Sequence, residues 1–537
     1  MLDRKLGFAV GCLAVTLAGC GAGGGGTDSA SAVGGDIRLA SEATTKPLDS
    51  VSGTGSTSTT TAATAVVPTK TSTGTAATST TTSSSSTGSA PSPTGAAPNL
   101  QQCLISKATV ATALAAVLAD IRGMPENSWR KVNVNTFASV QQPASLNPTC
   151  TSITGPNAII NAWGSFAYDS RRGDLITFGG GHGDYCGNDV YRFRLSTLRW
   201  ERAGVSSQMS IFQKTASLQT ALPVDGLGNA PATAHMYDGL MYIPNSDRMV
   251  YFGLGLPEFN GSGAPALSAA ISPRTGPWFF DPSRADPNKV VGSDGSAVDG
   301  SVRGGAMWQN RQYASNHPGA FLPPSYGPQM ASSDTACENG KDVVYMRTAS
   351  ASAVGSGLIK YVVNEPSDPA QDQMTEVGAM SNHMNQADMA VDTKRSIAVL
   401  LGDSSARRFA FWDLAASGPG NPLQSVGAVI DSTGGFSLGG NAGMDYDPVR
   451  DRFVLWDGAS EVWELKVPDS KPTATSGWSV RRLVGAGGPG GSLLTSSGGA
   501  NGKWKYAHGL DVFVGLREAP NGDVWLYKPS GWQDPAQ

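Results

Sequence analysis

The sequence predicts an all-β fold in which a four-stranded sheet recurs along the chain, preceded by a long segment that cannot form a core. Three observations lead to this prediction. The 537 residues include 67 Gly and 33 Pro and only two short helix-like runs, which excludes a helical bundle. Of the 41 Phe, Trp and Tyr residues, 40 lie in 129–537, and the other is Phe8. Within that aromatic part, a pattern of strand, turn, strand and Trp-led strand recurs.

The charge balance excludes one class of function. The formal net charge is −4, and charged residues make up 15% of the chain. A protein that binds nucleic acid through its phosphates needs a basic face, and this composition offers none. We therefore expect no nucleic-acid partner.

Residues 1–19 have the pattern of an export signal, in which two basic residues precede the apolar stretch Leu6–Leu17. This stretch is too short to anchor the chain across a bilayer. It ends in Leu-Ala-Gly-Cys20, which resembles the lipobox of bacterial lipoproteins. The resemblance implies that Cys20 is acylated and becomes the mature N-terminus. Because Gly21 rather than Asp follows, it also implies the outer membrane if the source has two; a plain signal peptide is the alternative.

Residues 20–99 form the lipidated cysteine and a tether. Between Ser50 and Pro98 the chain is almost entirely Ser, Thr, Ala, Gly and Pro, with Lys70 as the single charge after Ser50. Such a segment buries too little apolar surface to offset its ordering entropy, so we expect it to be disordered. Its root-mean-square reach is on the order of 50 Å.

Cysteine use agrees with export. Cys103, Cys150, Cys186 and Cys337 remain after the signal and the lipidated residue, and an oxidising compartment makes disulfides the default. We favour Cys103–Cys150, because both flank the start of the folded region. The strand register argues against Cys186–Cys337, although that pair stays open.

A short helical lead-in spans residues 100–127. Apolar residues from Ile105 to Ile121 follow a 3.6-residue period, with Ser106 as a candidate N-cap. Gly123 and Pro125 are stop signals. We therefore predict one helix that ends at Gly123.

The repeat is clearest at 163–203 and 441–482. Each unit reads as strand, tight turn, strand, glycine loop, strand and a final strand opened by Trp. Looser copies run over 243–281, 341–362 and 391–414. These units resemble Kelch repeats of the galactose-oxidase-like β-propellers, and the resemblance implies that residues 128–537 form one propeller.

The last unit refines the predicted blade count. Tyr506 and Asp511 align with Tyr446 and Asp451, which identifies a further blade. Its outer strand could be led by Trp532, but we prefer the N-terminal strand Ser128–Val132, which would close the ring without free edges. Six blades result, or seven if 290–330 contains a degenerate one.

The sparse histidines point to a candidate site. His182 lies in a loop between a second and a third strand, and His235 and His383 each precede an innermost strand. These positions would place the three histidines on one face near the axis. His317 could join them, whereas His508 belongs to the opposite face. Converging imidazoles suit acid–base work or a divalent metal. The alternative is a set of polar residues that line a water-filled channel.

Other side chains are candidates on the same face. We assign Tyr237 and Arg311 catalytic roles beside the histidines, as a base and a charge neutraliser. Candidate binding residues are Tyr185, Asn382, Asn385, Tyr313 and His317. The chain contains no Tyr-His dipeptide, so the copper-radical oxidase activity of the galactose-oxidase-like enzymes is not expected.

Two functions remain from the sequence. The first is a propeller that binds a polymeric carbohydrate and cleaves it by β-elimination, as the resemblance to propeller polysaccharide lyases implies. The second is a non-catalytic surface module that binds glycan or protein. For either, we expect a monomer attached to the membrane through its lipid anchor.

Overall fold

The computed structural model describes residues 99–103, 110, 112–143, 146, 155–161, 163–179, 185–214, 219–226, 228–233, 236–252, 276–289, 300–320, 332–348, 357–379, 387–402, 408–427, 429–436, 438, 441–468, 472–473, 477–483, 485–491, 499–517 and 520–537. Structural statements below concern these residues. The predicted signal, Cys20, the tether and Cys150 lie outside them. No helix in the described ranges is long and apolar enough to cross a membrane.

The described residues form a six-bladed β-propeller of four-stranded antiparallel sheets. Ahead of the blades lie strand β1 (Leu100–Gln101), helix α1 (Ala115–Arg122) and strand β2 (Ser128–Lys131). Blade 1 contains β3 (Phe166–Asp169), β4 (Asp174–Thr177), β5 (Val190–Arg194) and β6 (Arg199–Gly204), and a hairpin of β7 (Met209–Lys214) and β8 (Gln219–Pro223) follows. Blade 2 contains β9 (Leu240–Ile243), β10 (Arg248–Tyr251), β11 (Trp278–Phe280) and β12 (Trp308–Asn310), followed by the one-turn helix α2 (Tyr313–Asn316).

The remaining blades follow the same order. Blade 3 contains β13 (Ser332–Glu338), β14 (Lys341–Thr348), β15 (Gly357–Val363) and β16 (Gln373–Ala379); blade 4 contains β17 (Asp388–Asp392), β18 (Ile397–Gly402), β19 (Arg408–Asp413) and β20 (Gln424–Ser425). Blade 5 contains β22 (Gly443–Asp447), β23 (Arg452–Trp456), β24 (Val462–Lys466) and β25 (Ser479–Leu483), with β21 (Ile430–Asp431) added in parallel to β25. Blade 6 contains β26 (Trp504–Ala507), β27 (Val512–Leu516) and β28 (Val524–Lys528).

The first strand of each blade lies nearest the axis, and from blade 1 to blade 6 each first strand packs against the first strand of the next blade. Because neighbouring blades cover both faces of each sheet, the second strands of the blades are buried along most of their length. All six residues of β18 are buried, for example, and so are all five of β23. Stacking in a ring thus supplies the core that a single small sheet lacks.

The ring closes as the sequence predicts. Strand β2 pairs antiparallel with β28, with Trp129 opposite Tyr527, and becomes the outermost strand of blade 6. Trp129 packs against Trp456 and Trp504 with ring centroids 5.6 and 5.5 Å apart. The segment 308–310, within the stretch considered for a seventh blade, is the outermost strand of blade 2. The count is therefore six.

Helix α1 ends at Gly123, as predicted, and its buried face consists of Val117, Leu118 and Ile121. Ser106, the predicted N-cap, lies outside the described residues. Leu114 and Val110, which precede α1, pack directly against two glycine-containing turns. A Cβ atom added to Gly173 would lie only 2.6 Å from Leu114 Cδ1, and one added to Gly509 would collide with Val110. The helical lead-in therefore seals the junction between blades 6 and 1.

Three other junctions are held by a repeated ion-pair arrangement, here termed the turn clamp. In the turn between β3 and β4, the Arg172 guanidinium binds Asp169 of its own blade at 2.8 Å and reaches Asp247 of blade 2 at 2.6 and 2.7 Å. Asp247 has a positive φ of 55°, which aspartate tolerates in turns. It also accepts the Tyr242 hydroxyl at 2.7 Å.

The equivalent clamps explain the alignment seen in the sequence. Arg395 joins Asp392 of blade 4 to Asp451 of blade 5, and Arg450 joins Asp447 of blade 5 to Asp511 of blade 6. At the junction of blades 6 and 1, Leu510 and Gly173 stand at the positions of the arginine and the second aspartate. Apolar packing replaces the clamp there.

The disulfide prediction for Cys103 is wrong. Cys103 is bonded to Cys337, with a Cα–Cα distance of 4.9 Å and a sequence separation of 234 residues. Strand β1 pairs with the end of β13, placing Leu100 opposite Glu338 and Gln101 opposite Cys337, so Cys103 lies beside blade 3. Cys186 is also disulfide-bonded, and its partner lies outside the described residues.

The clamp between blades 4 and 5 should contribute strongly to stability. The Arg395 side chain is 4% exposed and that of Asp392 is 0% exposed. We expect Arg395→Gln to lower the free energy of unfolding by about 2–4 kcal/mol, because it leaves a buried carboxylate without its cation. Denaturant unfolding measures the change. The control is Arg482→Gln, whose 48% exposed side chain pairs with an exposed Glu461 and should cost below about 1 kcal/mol. Equal costs for both variants would contradict the clamp.

Candidate functional site

The two ends of the axial channel differ. The entry face is defined by the residues that lead into the innermost strands, among them 163–165, 236–239 and 499–503. The turn face is defined by the turns after those strands, among them 170–173, 244–247 and 508–511. The two faces offer different side chains to a ligand.

Lys505 of β26 lies in the channel among four aspartates, and these five residues are here termed the axial cluster. Its ammonium donates to Asp238 Oδ1 at 2.8 Å. The other carboxyl groups come from the innermost strands of blades 3, 4 and 5, at Asp334, Asp388 and Asp445. The pKa of Lys505 responds to the charges of all four aspartates. The single ammonium group of blade 6 therefore interacts electrostatically with carboxyl groups from four other blades.

The carboxyl groups also bridge the blades through the backbone. Asp334 accepts the Val391 N–H at 2.7 Å, and Asp445 accepts the Tyr506 N–H at 2.6 Å. Asp388 Oδ2 accepts the N–H of Gly502 at 2.8 Å, whereas Asp388 Oδ1 has no hydrogen-bond partner among the described residues. Asp238 accepts the backbone of blades 3 and 4 at 3.3 and 3.1 Å. These bonds make the axial cluster a structural centre.

Burial raises the pKa of all four carboxyl groups. For Asp334, burial and then the neighbouring Asp445 raise the pKa to about 7. Burial raises the pKa of Asp445 to about 6 and also raises those of Asp238 and Asp388. Burial opposes the charged form of Lys505, but the carboxylates outweigh it and raise its pKa. The cluster thus keeps an ammonium ion beside carboxyl groups whose pKa values are raised, to about 7 for Asp334 and about 6 for Asp445.

The cavity beside the axial cluster is too small for a polysaccharide. It measures about 80 Å³, and Gln102 and Cys103 contribute to its wall together with Tyr168 and Lys505. Ligand sites usually measure about 300–1,000 Å³. A space of this size suits a few water molecules. The cavity beside the axial cluster, as the described residues form it, therefore does not accommodate a sugar chain.

On the entry face, two aromatic residues meet near the axis. The rings of Trp163 and Tyr237 lie 5.9 Å apart at 30°, and Trp163 is partly exposed, whereas Tyr237 is 5% exposed. Both have left-handed backbone, with φ of 59° and 49°. The Trp163 carbonyl accepts the N–H groups of Met236 and Tyr237 at 2.9 and 2.8 Å. Large side chains rarely occupy this conformation, which costs about 1–3 kcal/mol per residue.

Five predicted site residues lie outside the described residues: His182, His235, His383, Asn382 and Asn385. The metal site assigned to the three histidines therefore stays a prediction. Within the described part of the chain, one group of three Cys, His or acidic residues places its ligand atoms within 4.8 Å of one another, namely Cys103, Cys337 and Asp342. Its two sulfur atoms are joined in the disulfide, so this group does not suit a metal ion.

Tyr185 belongs to the interior of blade 1. It is 2% exposed, and its hydroxyl accepts the side-chain amide of Gln142 at 2.8 Å. The nearby Asp189 accepts the Tyr191 hydroxyl at 2.6 Å. Burial, followed by the Asp189 charge, raises the pKa of Tyr185 well above its usual value. A buried, hydrogen-bonded phenol of this kind supports the fold rather than contacting a ligand.

Arg311, Tyr313 and His317 are brought together, but away from Tyr237. Arg311 is 0% exposed and binds Asp372 at the start of β16, the outermost strand of blade 3, through two bonds of 2.8 and 2.6 Å. The predicted role of Arg311 as a charge neutraliser on the entry face does not agree with this placement, because the guanidinium has no accessible surface. His508 lies in the turn between β26 and β27, on the turn face, as expected.

No family model and no curated protein matches the chain. Similar solved structures include a Penicillium chrysogenum alpha-L-arabinanase complexed with arabinobiose, with a TM-score of 0.34 and 11% identity over 75% of this chain and 99% of that chain. A fungal alcohol oxidase of the AA5 family in complex with copper has a TM-score of 0.26 and 9% identity over 68% and 62%. The GH74 xyloglucanase from Xanthomonas campestris has a TM-score of 0.23 and 9% identity over 66% and 56%. Such similarities carry no functional argument, and the propeller assignment rests on the strand pairing.

Sequence reasoning missed the axial cluster, although a signal was present. Asp445 and Lys505 precede the aligned Tyr446 and Tyr506 by one residue. Extending that alignment by one position would have placed an acidic and a basic side chain at equivalent points of two innermost strands. The side-chain period of two then turns both toward the axis.

Removal of the axial cation should destabilise the protein in a pH-dependent manner. We expect Lys505→Met to lower the free energy of unfolding by at least about 3 kcal/mol at about pH 8, because the buried carboxylates lose their counter-ion. The folded-state pKa values of the carboxyl groups exceed those of the unfolded chain. Without the Lys505 charge these folded-state pKa values rise further, so the variant takes up more protons on folding than the wild type. The loss should therefore shrink as the pH falls through about 7 and about 6.

Denaturant unfolding across that pH range measures the effect. The control is Lys466→Met, which removes an exposed lysine at the end of β24. A loss in Lys505→Met that stays constant or grows toward low pH would contradict the assigned role of Lys505.

Proposed function

We propose that this chain is an extracytoplasmic, membrane-tethered propeller with Kelch-like blades, whose entry face binds a polymeric carbohydrate. The partly exposed Trp163, backed by Tyr237, is the observation that carries the proposal. The C–H groups on one face of a sugar ring pack against the electron-rich face of an indole. Strained backbone at a large residue needs support from its surroundings and is concentrated at functional sites. Here the two strained residues support each other.

The location of the N-terminal segment agrees with this use of the entry face. Leu100–Gln101 pairs with the end of β13 near the turn face, and the residues before α1 pack on the turns at Gly173 and Gly509. The lead-in therefore occupies the turn face and leaves the entry face for a ligand. Disulfides at Cys103 and Cys186 support an oxidising, extracytoplasmic location. Attachment through Cys20 and the outer membrane remain part of the proposal.

Binding to a panel of neutral and acidic polysaccharides tests this function. We expect wild-type protein to be retarded by at least one polymer in affinity electrophoresis, and Trp163→Ala to weaken that binding about ten-fold, equivalent to about 1.4 kcal/mol. The matched control is Trp525→Ala, which removes another half-buried tryptophan from β28. Thermal unfolding confirms that both variants are folded.

Unchanged retardation of the Trp163 variant, or no binding by the wild type, would overturn the proposal. The same incubations report cleavage, because β-elimination gives unsaturated products that absorb in the ultraviolet. Their appearance would identify the chain as a lyase that uses the proposed binding face.

A further inference from the structure

A groove at the edge of the ring, between blades 2 and 3, is lined by polar side chains. This rim groove has a volume of about 580 Å³, within the range of ligand sites. Its lining includes Tyr313, His317, Lys341, Asn364, Gln371 and Thr375. None of these residues belongs to the entry face or to the axial cluster.

The floor of the rim groove is rigid and electrically neutral. Both oxygens of Asp372 bind the Arg311 guanidinium, and the Tyr361 hydroxyl donates to the same carboxylate. Arg311 also donates to the carbonyls of Pro366 and Glu365 at 2.6 and 3.0 Å. The ion pair is 0% exposed on both sides. It therefore fixes the loop 364–372 against blade 2, and the Asp372 carboxylate offers a ligand no free charge.

One wall of the groove is a stacked pair of rings. The Tyr313 hydroxyl accepts the Met374 N–H at 2.9 Å, which fixes the phenol, and the His317 imidazole stacks on it at 4.4 Å and 27°. The Nε2 atom of His317 is buried and has no hydrogen-bond partner among the described residues. An unsatisfied buried polar atom costs about 1–3 kcal/mol. Because this atom has no accessible surface, the pair presents the partly exposed ring of His317 to the groove rather than this nitrogen.

The other walls supply one positive charge and several neutral polar groups. Lys341 is exposed, and its ammonium donates to Asn364 Oδ1 at 2.6 Å without forming an ion pair in the described part of the chain. Gln371, Gln373 and Thr375 are also exposed. Amides and hydroxyls bind the hydroxyl groups of sugars as donors and acceptors. An unneutralised ammonium beside them favours a ligand that also carries an anion.

We propose that the rim groove is a second binding site, which takes a carboxylate-bearing sugar residue. The carboxylate lies against Lys341, and the hydroxyl groups bind the exposed side chains of Gln373 and Thr375. The ring of the sugar packs beside the stacked pair. The site is separate from Trp163, so it goes beyond the entry-face function and does not depend on it.

Calorimetric titration with tetragalacturonate and with its methyl ester tests the proposal, because the two probes share one backbone and differ in charge. We expect wild-type protein to bind the acid at least about ten-fold more tightly than the ester. Lys341→Gln should weaken binding of the acid about ten-fold and leave the ester unchanged. His317→Ala should weaken both. Lys466→Gln, which removes another exposed lysine, should leave acid binding unchanged.

The outcomes separate this site from the entry face. Equal affinity of wild type and Lys341→Gln for the acid would overturn the proposal, as would equal binding of acid and ester. Loss of acid binding in Trp163→Ala would place the ligand on the entry face instead. Binding of tetra-alanine as tight as that of tetragalacturonate would identify a peptide carboxylate as the ligand and would also overturn it. Lys341 is exposed, so its variant should fold, and thermal unfolding checks this.

Discussion

The contact between the Lys505 ammonium and the carboxyl groups around it is the interaction on which the propeller depends. Six small sheets can bury both of their faces only when they stack in a ring, which brings their innermost strands together at one axis. The backbone N–H groups exposed there need acceptors, and the aspartates supply them across blade boundaries. Carboxyl groups at such density would repel one another. Their buried charge is tolerable because one cation is held among them and because burial favours their protonated forms.

Away from the axis, neighbouring blades are joined by ion pairs at some junctions and by apolar packing at another. Turn clamps centred on Arg172, Arg395 and Arg450 join three pairs of blades. The junction between blades 6 and 1 uses apolar packing by the lead-in and the added strand β2 instead. These devices occupy the turn face, which leaves the entry face and the rim groove for ligands.

Much of the fold could be predicted from the sequence because each blade repeats a local pattern. Trp129, which follows the lead-in, begins a strand in the same way as Trp200 and Trp478 begin outer strands. This similarity predicted how the ring closes. The aligned Tyr446 and Tyr506 proved to be the donors to Asp451 and Asp511 of the turn clamps. Such features are set within a few residues of the chain.

Features that depend on distance from the axis could not be predicted in this way. Arg311 and His317 precede a new blade in sequence, which suggested the centre of the entry face. They follow the outermost strand β12, however, and the chain is still at the perimeter there. Cys103 pairs with Cys337 through a two-residue strand, which is too short to leave a pattern in the sequence. Lys505 is one lysine among many until the fold places four carboxyl groups around it.

A double-mutant cycle between Lys505 and Asp238 tests the central claim most directly, because it isolates the pairwise term at the axis. The free energy of unfolding would be measured for Lys505→Met, Asp238→Asn and the double variant by denaturant titration. A structural centre predicts that the double variant loses less stability than the sum of the single losses, with a coupling of at least about 2 kcal/mol. Additive losses would contradict the claim that this ion pair holds the blades together.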